Sequence, residues 1–373
     1  MNVVKVAIVG AGVSGLYAAS LLEKAGISFV MLEARSQIGG RVLSCNAEVS
    51  DCNNNANSHK KSHSFVDLGA TWVWPSFQPQ LAGLLDDLGI ELIPQSETGD
   101  MLYERNQHTA PSRYPGFESS PSSMRLAGGM HLLTERLRAQ ISSDAIHTDR
   151  HIKKVSQVGG MVELQASSAR GEIYKYHAEH VLLALPPALS AAIQFSPALP
   201  GSLAHSWKST GTWMAPHAKY VAVYKSNFWL NHALSGEVRS GVGPLVEIHD
   251  ASVPGGVSAL FGFLGVPAKT RWTTTEENLI ALFRAQLVRL FGEEAGHPVA
   301  EFFKDWANDE FTATEYDLIA QAGHSVPAAS PLEGPWKSRI RGIASEWSPL
   351  FPGYLAGAID AADEGVKAFR SVV

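Results

Sequence analysis

The sequence predicts an α/β protein with a Rossmann-like, GxGxxG dinucleotide-binding domain and chain enough for a second domain. Two observations carry this. The stretch from Val6 to Val42 reads VAIVGAGVSGLYAASLLEKAGISFVMLEARSQIGGRV, in which strand, glycine turn, helix, strand and acid follow in the order a dinucleotide site requires. The chain has 373 residues, 45% of them apolar, with 33 Gly and 20 Pro, which suffices for two domains each with its own core.

An apolar strand from Val3 to Val9 runs into Gly10, Gly12 and Gly15. These glycines permit a tight turn, close backbone approach to a pyrophosphate and close packing of helix on strand. A helix from about Ser14 to Ala25 follows and points its positive N-terminus at the phosphate, with Val13 and Ser14 at that end as cofactor-binding candidates. A second apolar strand, Ser28 to Leu32, ends at Glu33, whose carboxylate falls on the ribose hydroxyls of an adenosine. Ala34 and Arg35 come next, then Gly39, Gly40 and Arg41. Arg35 and Arg41 can face the pyrophosphate, while the glycine pair lets the backbone approach a bulky flat ligand. Nicotinamide-binding folds do not usually need that clamp.

Further along, Asn46 to Ser64 is rich in Asn, Ser, Lys and His and reads as a solvated loop. Cys45, Cys52, His59 and His63 are chemically capable of holding zinc, but the cysteines stand wider apart than the usual pairs, and no metal is expected. Tyr220 to Tyr224 and Leu260 to Leu264 are short, apolar and rich in aromatic or branched residues, as strands are. Glu276 to Phe291 reads as a helix with Leu279, Phe283, Leu287 and Leu290 on one face, which is core.

Thirty basic against thirty-six acidic residues leave a net charge of -6, which does not favour nucleic acid. The first apolar stretch reads as strand and helix, because cleavage there as a signal peptide would destroy the glycine turn. No uninterrupted apolar run reaches membrane-spanning length, and Asp360, Asp363, Glu364, Lys367 and Arg370 follow Tyr354, so no membrane is expected. Two cysteines do not indicate a disulfide framework, which makes a cytoplasmic setting the default.

The run from Val6 to Arg41 resembles the flavin-dependent amine oxidase family, the monoamine oxidase-like flavoproteins, and matches to that family continue along almost the whole chain. Asp67-Leu68-Gly69-Ala70-Thr71-Trp72 resembles its second flavin-contacting segment, and Arg125-Leu126-Ala127-Gly128-Gly129-Met130 the glycine stretch that reopens its cofactor domain. Ile152 is similar to the branched residue whose backbone meets the adenine. Leu183-Ala184-Leu185-Pro186-Pro187 resembles a strand exit beside the cofactor, and Glu346-Trp347-Ser348 with Gly353-Tyr354-Leu355-Ala356-Gly357-Ala358 the C-terminal flavin motif.

The resemblance implies a discontinuous FAD-binding domain, residues 1–75, 125–208 and 309–373, with an α+β substrate domain inserted as residues 76–124 and 209–308. The first inserted piece is short and loop-rich around Pro111 to Ser123. The resemblance also implies a site. Tyr316 and Tyr354 would be two parallel phenols guiding a neutral amine to the flavin, with Trp306 supporting them from behind. Lys219, a lysine on an otherwise apolar strand and costly to bury alone, would sit where the family bonds a lysine through water to the reactive flavin nitrogen. His217, the nearest candidate base, is left out of the catalytic set, because hydride transfer from a neutral amine requires none.

Departures from the family pattern are informative too. Members that tether flavin covalently have a cysteine where this chain has Glu315, so the FAD is expected to be non-covalent. Trp72 and Trp74 replace an arginine that holds a substrate carboxylate in amino-acid oxidases and an acid that holds a distal ammonium in polyamine oxidases. The expected reaction is therefore oxidative deamination of an apolar or aromatic primary amine, with molecular oxygen as acceptor, yielding aldehyde, ammonia and hydrogen peroxide. An acid from the inserted domain serving a diamine, a flavoprotein desaturase or isomerase, and a flavin-bearing scaffold without turnover remain alternatives.

Overall fold

The computed structural model describes residues 3–48, 52, 62–116, 119–318 and 326–371. Two sheets organise them. The first runs Gln194–Ser196, His151–Val158, Met161–Ser167, Ile173–Leu183, Val4–Val9, Phe29–Leu32, Ile146–His147, with Ile340–Gly342 also paired to the long Ile173–Leu183 strand. Val4–Val9 is parallel to both neighbours, with Val9 level with Leu32 and Leu183. Parallel strands covered on both faces lose the apolar-polar alternation, and Val6 to Val9 and Phe29 to Leu32 are accordingly all buried.

The helix Val13–Lys24 packs on this sheet beside the C-terminal helix Leu355–Arg370, where Leu16, Ala19 and Leu22 share one core with Ile359, Ala362 and Val366. Gly15 makes that approach possible. A Cβ on it would lie 2.0 Å from the Gly10 carbonyl oxygen, so any side chain would push the helix off the strand.

The second sheet runs Ala300–Asp305, Ala218–Tyr224, Ser258–Leu264, Leu245–Asp250, Leu234–Ser240, Asp100–Glu104, Ser112–Pro115. Its two expected strands each begin two residues earlier than the sequence suggests. The helix Glu276–Phe291 has the expected bounds, and Leu279, Phe283, Leu287 and Leu290 bury against Tyr220, Ile248 and Leu260. Thr275 caps it by accepting from the Asn278 N–H at 3.3 Å, with Glu276 and Glu277 in the first turn.

Part of the expected loop at Pro111 to Ser123 is instead the edge strand Ser112–Pro115, antiparallel to Asp100–Glu104. All four of its residues are exposed, so backbone pairing holds it and no apolar alternation marks it. Pro115 is tolerated there because an edge leaves N–H positions unused. Cys45, on the short strand Ser44–Asn46, is disulfide-bonded to Cys52. This removes both thiols from any zinc set and leaves cysteine usage no argument for a reducing compartment. His59 lies outside the described residues, and His63 Nδ1 sits 3.2 Å from the Pro254 carbonyl oxygen. Among the described residues no helix is long and apolar enough to cross a membrane.

Candidate active site

A cavity of about 1230 Å³ is lined from both sheets and joins a polar, glycine-walled half to an aromatic half. Gly10, Gly12, Val13, Ser14, Glu33, Ala34, Arg35, Gly39, Gly40, Arg41 and Ile152 line the first half. The helix there starts at Gly12 with no side-chain cap, and Val13 and Ser14 are buried. Its first N–H groups are thus left for an anion in the cavity. Gly40 has φ +58°, and a Cβ on it would stand 3.1 Å from Gly12 Cα, so clamp and turn touch backbone to backbone.

Glu33 is 4% exposed and fixed from two sides: Oε2 accepts from the Ala11 N–H at 2.7 Å and Oε1 from the Arg35 N–H at 2.9 Å. Each carboxylate oxygen keeps a second acceptor position for a ribose hydroxyl. Glycine cradle, uncapped helix and pre-oriented acid are the donor and acceptor set an adenine dinucleotide needs, so the residues present fit FAD.

Both arginines line the cavity, yet each is committed to an acid. Arg35 is ion-paired with Asp309 and donates to Thr312 Oγ1 at 3.3 Å, with its guanidinium 5.2 Å from the Phe311 ring centre. Arg41 binds Glu346 bidentately at 2.6 and 3.1 Å and donates to Ser345 Oγ at 3.2 Å. Burial alone would raise the Glu346 carboxyl, but the Arg41 guanidinium reverses this and holds it below the usual carboxylate range. Glu346 does not itself line the cavity; it anchors Arg41, which does. Gly15 is likewise not on the wall; it carries the packing that sets the turn.

Gly69, Ala70, Thr71, Trp72, Trp306, Gly353, Tyr354 and Leu355 line the aromatic half. Tyr354 is the uncapped N-terminal residue of the last helix, which leaves that helix's first N–H groups at the cavity. Indole N–H bonds lock two of the tryptophans: Trp72 Nε1 donates to Gln95 Oε1 at 2.8 Å and Trp74 Nε1 to Ser123 Oγ at 2.9 Å. Trp306 Nε1 donates to the Leu68 carbonyl at 3.0 Å.

The expected pair of phenols is not formed. Tyr316 is 43% exposed, does not line the cavity, and stacks under the Lys208 ammonium at 5.3 Å. The reason lies one residue on. Asp317 is buried and accepts from the Thr212 N–H, the Thr314 N–H and the Thr314 hydroxyl, and fixing it inward on the short turn Glu315–Leu318 turns Tyr316 away. The ring facing Tyr354 is Trp213, with centroids 5.4 Å apart and planes at 39°, and Trp74 stands edge-on to the same phenol at 6.0 Å.

Lys219 is 1% exposed and sits one layer behind the wall. Its Nζ donates to Thr71 Oγ1 and, at 3.4 Å, to the Gly69 carbonyl, and lies 4.1 Å from the Phe261 ring centre. Burial pushes its pKa down to about 7, against the opposing pull of Asp67.

Trp213, Thr212 and Asp317 were missed as site residues by sequence reasoning. The one signal for Trp213 was a large aromatic in the proline-bearing stretch Trp213-Met214-Ala215-Pro216 that leads into the Lys219 strand. Phe263, another wall residue, is an ordinary strand residue in sequence.

Residues 97–366 match the family described as flavin containing amine oxidoreductase, and residues 8–88 match the NAD(P)-binding Rossmann-like domain. The chain is 24% identical to a flavin-containing amine oxidase of Danio rerio, over 100% of this chain and 86% of that protein. It is 23% identical to putrescine oxidase of Kocuria rosea, over 91% and 90%. Among solved structures, putrescine oxidase bound to putrescine superposes with a TM-score of 0.79 at 20% identity over 99% of each chain. Cyclohexylamine oxidase from Brevibacterium oxydans does so with 0.78 at 18%, over 100% of this chain and 99% of that one. These two likenesses speak to the fold. The family match spans most of the chain and coincides with the cavity just described: this protein belongs to the flavin containing amine oxidoreductases, and FAD is its cofactor.

Proposed function

We propose that this enzyme oxidatively deaminates a primary amine with an apolar or aromatic body, yielding aldehyde, ammonia and hydrogen peroxide with oxygen as the final acceptor. One observation carries the reading: the aromatic walls Trp74, Trp213 and Tyr354 open into the same cavity as the dinucleotide cradle. Bound FAD would supply the hydride acceptor and the route to oxygen. The protein's part is position and exclusion of water. Trp213 and Tyr354 pack on each other and, with Trp74, form an aromatic wall against which a small apolar amine can be held, and the locked indoles of Trp72 and Trp74 leave little freedom in that wall. Arg271, the arginine nearest this half, is spent on Asp305 and on the Val266 and Pro216 carbonyls, so a substrate carboxylate finds no uncommitted partner there.

Non-covalent FAD is supported by the Cys45–Cys52 disulfide, which leaves neither thiol for a thioether. Lys219 reaches the cavity through the Thr71 hydroxyl, and a positive charge there favours oxygen reduction. We further take residues 1–75, 125–208 and 309–373 as the FAD-binding domain and 76–124 with 209–308 as the substrate domain; the strands of the two sheets fall on either side of this division, while Leu81, Leu85 and Leu88 of the first inserted piece pack into the core around Leu16 and Ile359. Anaerobic mixing of the FAD-loaded enzyme with monoamines, diamines and amino acids tests the reading: an apolar or aromatic monoamine should bleach the flavin fastest. Fastest bleaching by an amino acid or a diamine, or none by any amine, would overturn it.

A further inference from the structure

An alkylamine enters from neutral water as its ammonium ion, with a pKa of about 10, and an ammonium has no lone pair to support loss of hydride from the adjacent carbon. Given the amine-oxidising reading above, that proton must leave before the hydride does, either in bulk water, where the neutral fraction is small at pH 7, or to a group at the cavity. Most titratable groups on the wall are already committed. Burial alone would raise the Glu247 carboxyl, but His249, bonded at 2.7 Å, and Arg239 hold it at about 2. Asp317 accepts three hydrogen bonds from Thr212 and Thr314, and Arg271 is paired with Asp305. Lys219 does not reach the wall.

His217 differs from all of these. It lines the cavity and is half-buried, and among the described residues no hydrogen bond reaches its imidazole. Its ring lies 6.4 Å from that of Trp213, which in turn faces Tyr354 at 5.4 Å, so the imidazole belongs to the aromatic cluster that would hold the amine. The backbone is fixed from both sides: its N–H donates to the Met214 carbonyl at 3.2 Å and its carbonyl accepts from the Trp306 N–H at 3.0 Å.

We propose that His217 is a catalytic residue: its imidazole accepts the ammonium proton of the incoming substrate and passes it to solvent, delivering neutral amine to the aromatic walls. One N–H bond of the ammonium breaks and leaves its electron pair on nitrogen; one N–H bond forms on the imidazole; nothing is oxidised. Burial lowers the imidazole pKa and the Arg271 guanidinium adds to this, so the ring is neutral at pH 7 and holds an accepted proton only weakly, which suits a group that hands the proton on to solvent. The charged groups on the elements packed against it are Arg271, which donates to the Pro216 carbonyl, and Asp305, which is bound to Arg271. On the strand that begins at the next residue, Ala218–Tyr224, the Lys219 ammonium is turned to Thr71.

The test is anaerobic rapid-mixing reduction of FAD-loaded wild type and His217→Asn by the best monoamine of the panel, from about pH 6 to about pH 10. Loss of a positioned base should lower the second-order reduction constant about 100-fold at pH 7. The gap should close to within about threefold near pH 10, where solution itself supplies free amine. A deficit equal at every pH, the mark of a merely structural role, overturns the proposal, as does no deficit. If His217→Asn does not retain FAD, His217→Gln is measured in the same way. If no amine bleaches the wild type, the amine-oxidising reading itself fails. Bleaching of the wild type with a flat or absent deficit refutes His217 alone.

Discussion

Lys219→Met isolates what it costs this fold to bury an ammonium. Lys219 is 1% exposed, and burial takes its pKa from the ordinary 10.5 to about 7, with Asp67 resisting the fall and Arg125 assisting it. A displacement of that size corresponds to roughly 5 kcal/mol. Methionine has similar length and no charge, but it abandons the Thr71 and Gly69 acceptors and the contact with the Phe261 ring, which together return about 2 kcal/mol. The variant should therefore be about 3 kcal/mol more stable than wild type at pH 6. The pH dependence follows from where the proton sits. Below about pH 7 the lysine is protonated in both states and the penalty is complete. Between about pH 7 and 10.5 the unfolded chain holds a proton the folded chain has released, so wild-type stability climbs through that window and the advantage of methionine disappears. Urea unfolding followed by tryptophan fluorescence, at pH 6 and pH 10 and at one free FAD concentration, measures both numbers. A methionine variant less stable at pH 6, or a difference that ignores pH, would refute this account of the site. On the role proposed for Lys219, the same protein should be reoxidised by oxygen far more slowly while amine reduction is little changed.

Glu346→Gln leaves the Arg41 guanidinium without its counter-charge; Arg41 retains 27% side-chain exposure, so the expected loss is about 1–3 kcal/mol with weaker FAD retention. Because the folded Glu346 carboxyl lies below its ordinary value, its contribution exists above the unfolded value and is lost as pH falls through the folded one. Acid unfolding of the glutamine variant should accordingly be the shallower. Trp213→Ala should weaken binding of an aromatic amine about tenfold, the worth of one aromatic pair, whereas Tyr316→Phe should leave reduction within about twofold, since Tyr316 lies outside the cavity. Stopped-flow reduction of both variants decides the matter, and a large effect at Tyr316 would return it to the site. Gly15→Ala places a Cβ 2.0 Å from the Gly10 oxygen and should yield a colourless, destabilised protein on purification; a stable yellow one would show that helix and strand can part.

What the sequence made legible was local. From Val4 to Arg41 each residue's chemistry serves its own neighbourhood: the glycines set the turn they occupy, and Glu33 ends the strand that carries it. Expected and observed element ends there differ by one residue. What stayed hidden was decided by partners far along the chain. Arg35 finds Asp309 across 274 residues and Arg41 finds Glu346 across 305, so arginines that read as free to meet a pyrophosphate are half spent on acids. Tyr316 failed for the same reason: the hold of Asp317 on the Thr212 N–H, 105 residues away, decides which of two adjacent side chains faces inward. The strand Ser112–Pro115 was invisible because it buries nothing.

The committed charges bear on selectivity. Arg35 with Asp309, Arg41 with Glu346, Arg271 with Asp305, and Glu247 with Arg239 and His249 are each close to neutral as groups, so these pairs leave little unbalanced charge in the aromatic half of the wall. A cavity of that kind discriminates weakly by the ligand's net charge and strongly by its shape and protonation state. A charged substrate group would be desolvated there with no partner to restore what it lost, at a cost of several kcal/mol. An apolar body loses nothing on entry and gains the faces of Trp213 and Tyr354. The proton of the amine is then the one charge that must be dealt with, and the wall leaves one uncommitted imidazole, His217, among the described residues of its aromatic half to deal with it.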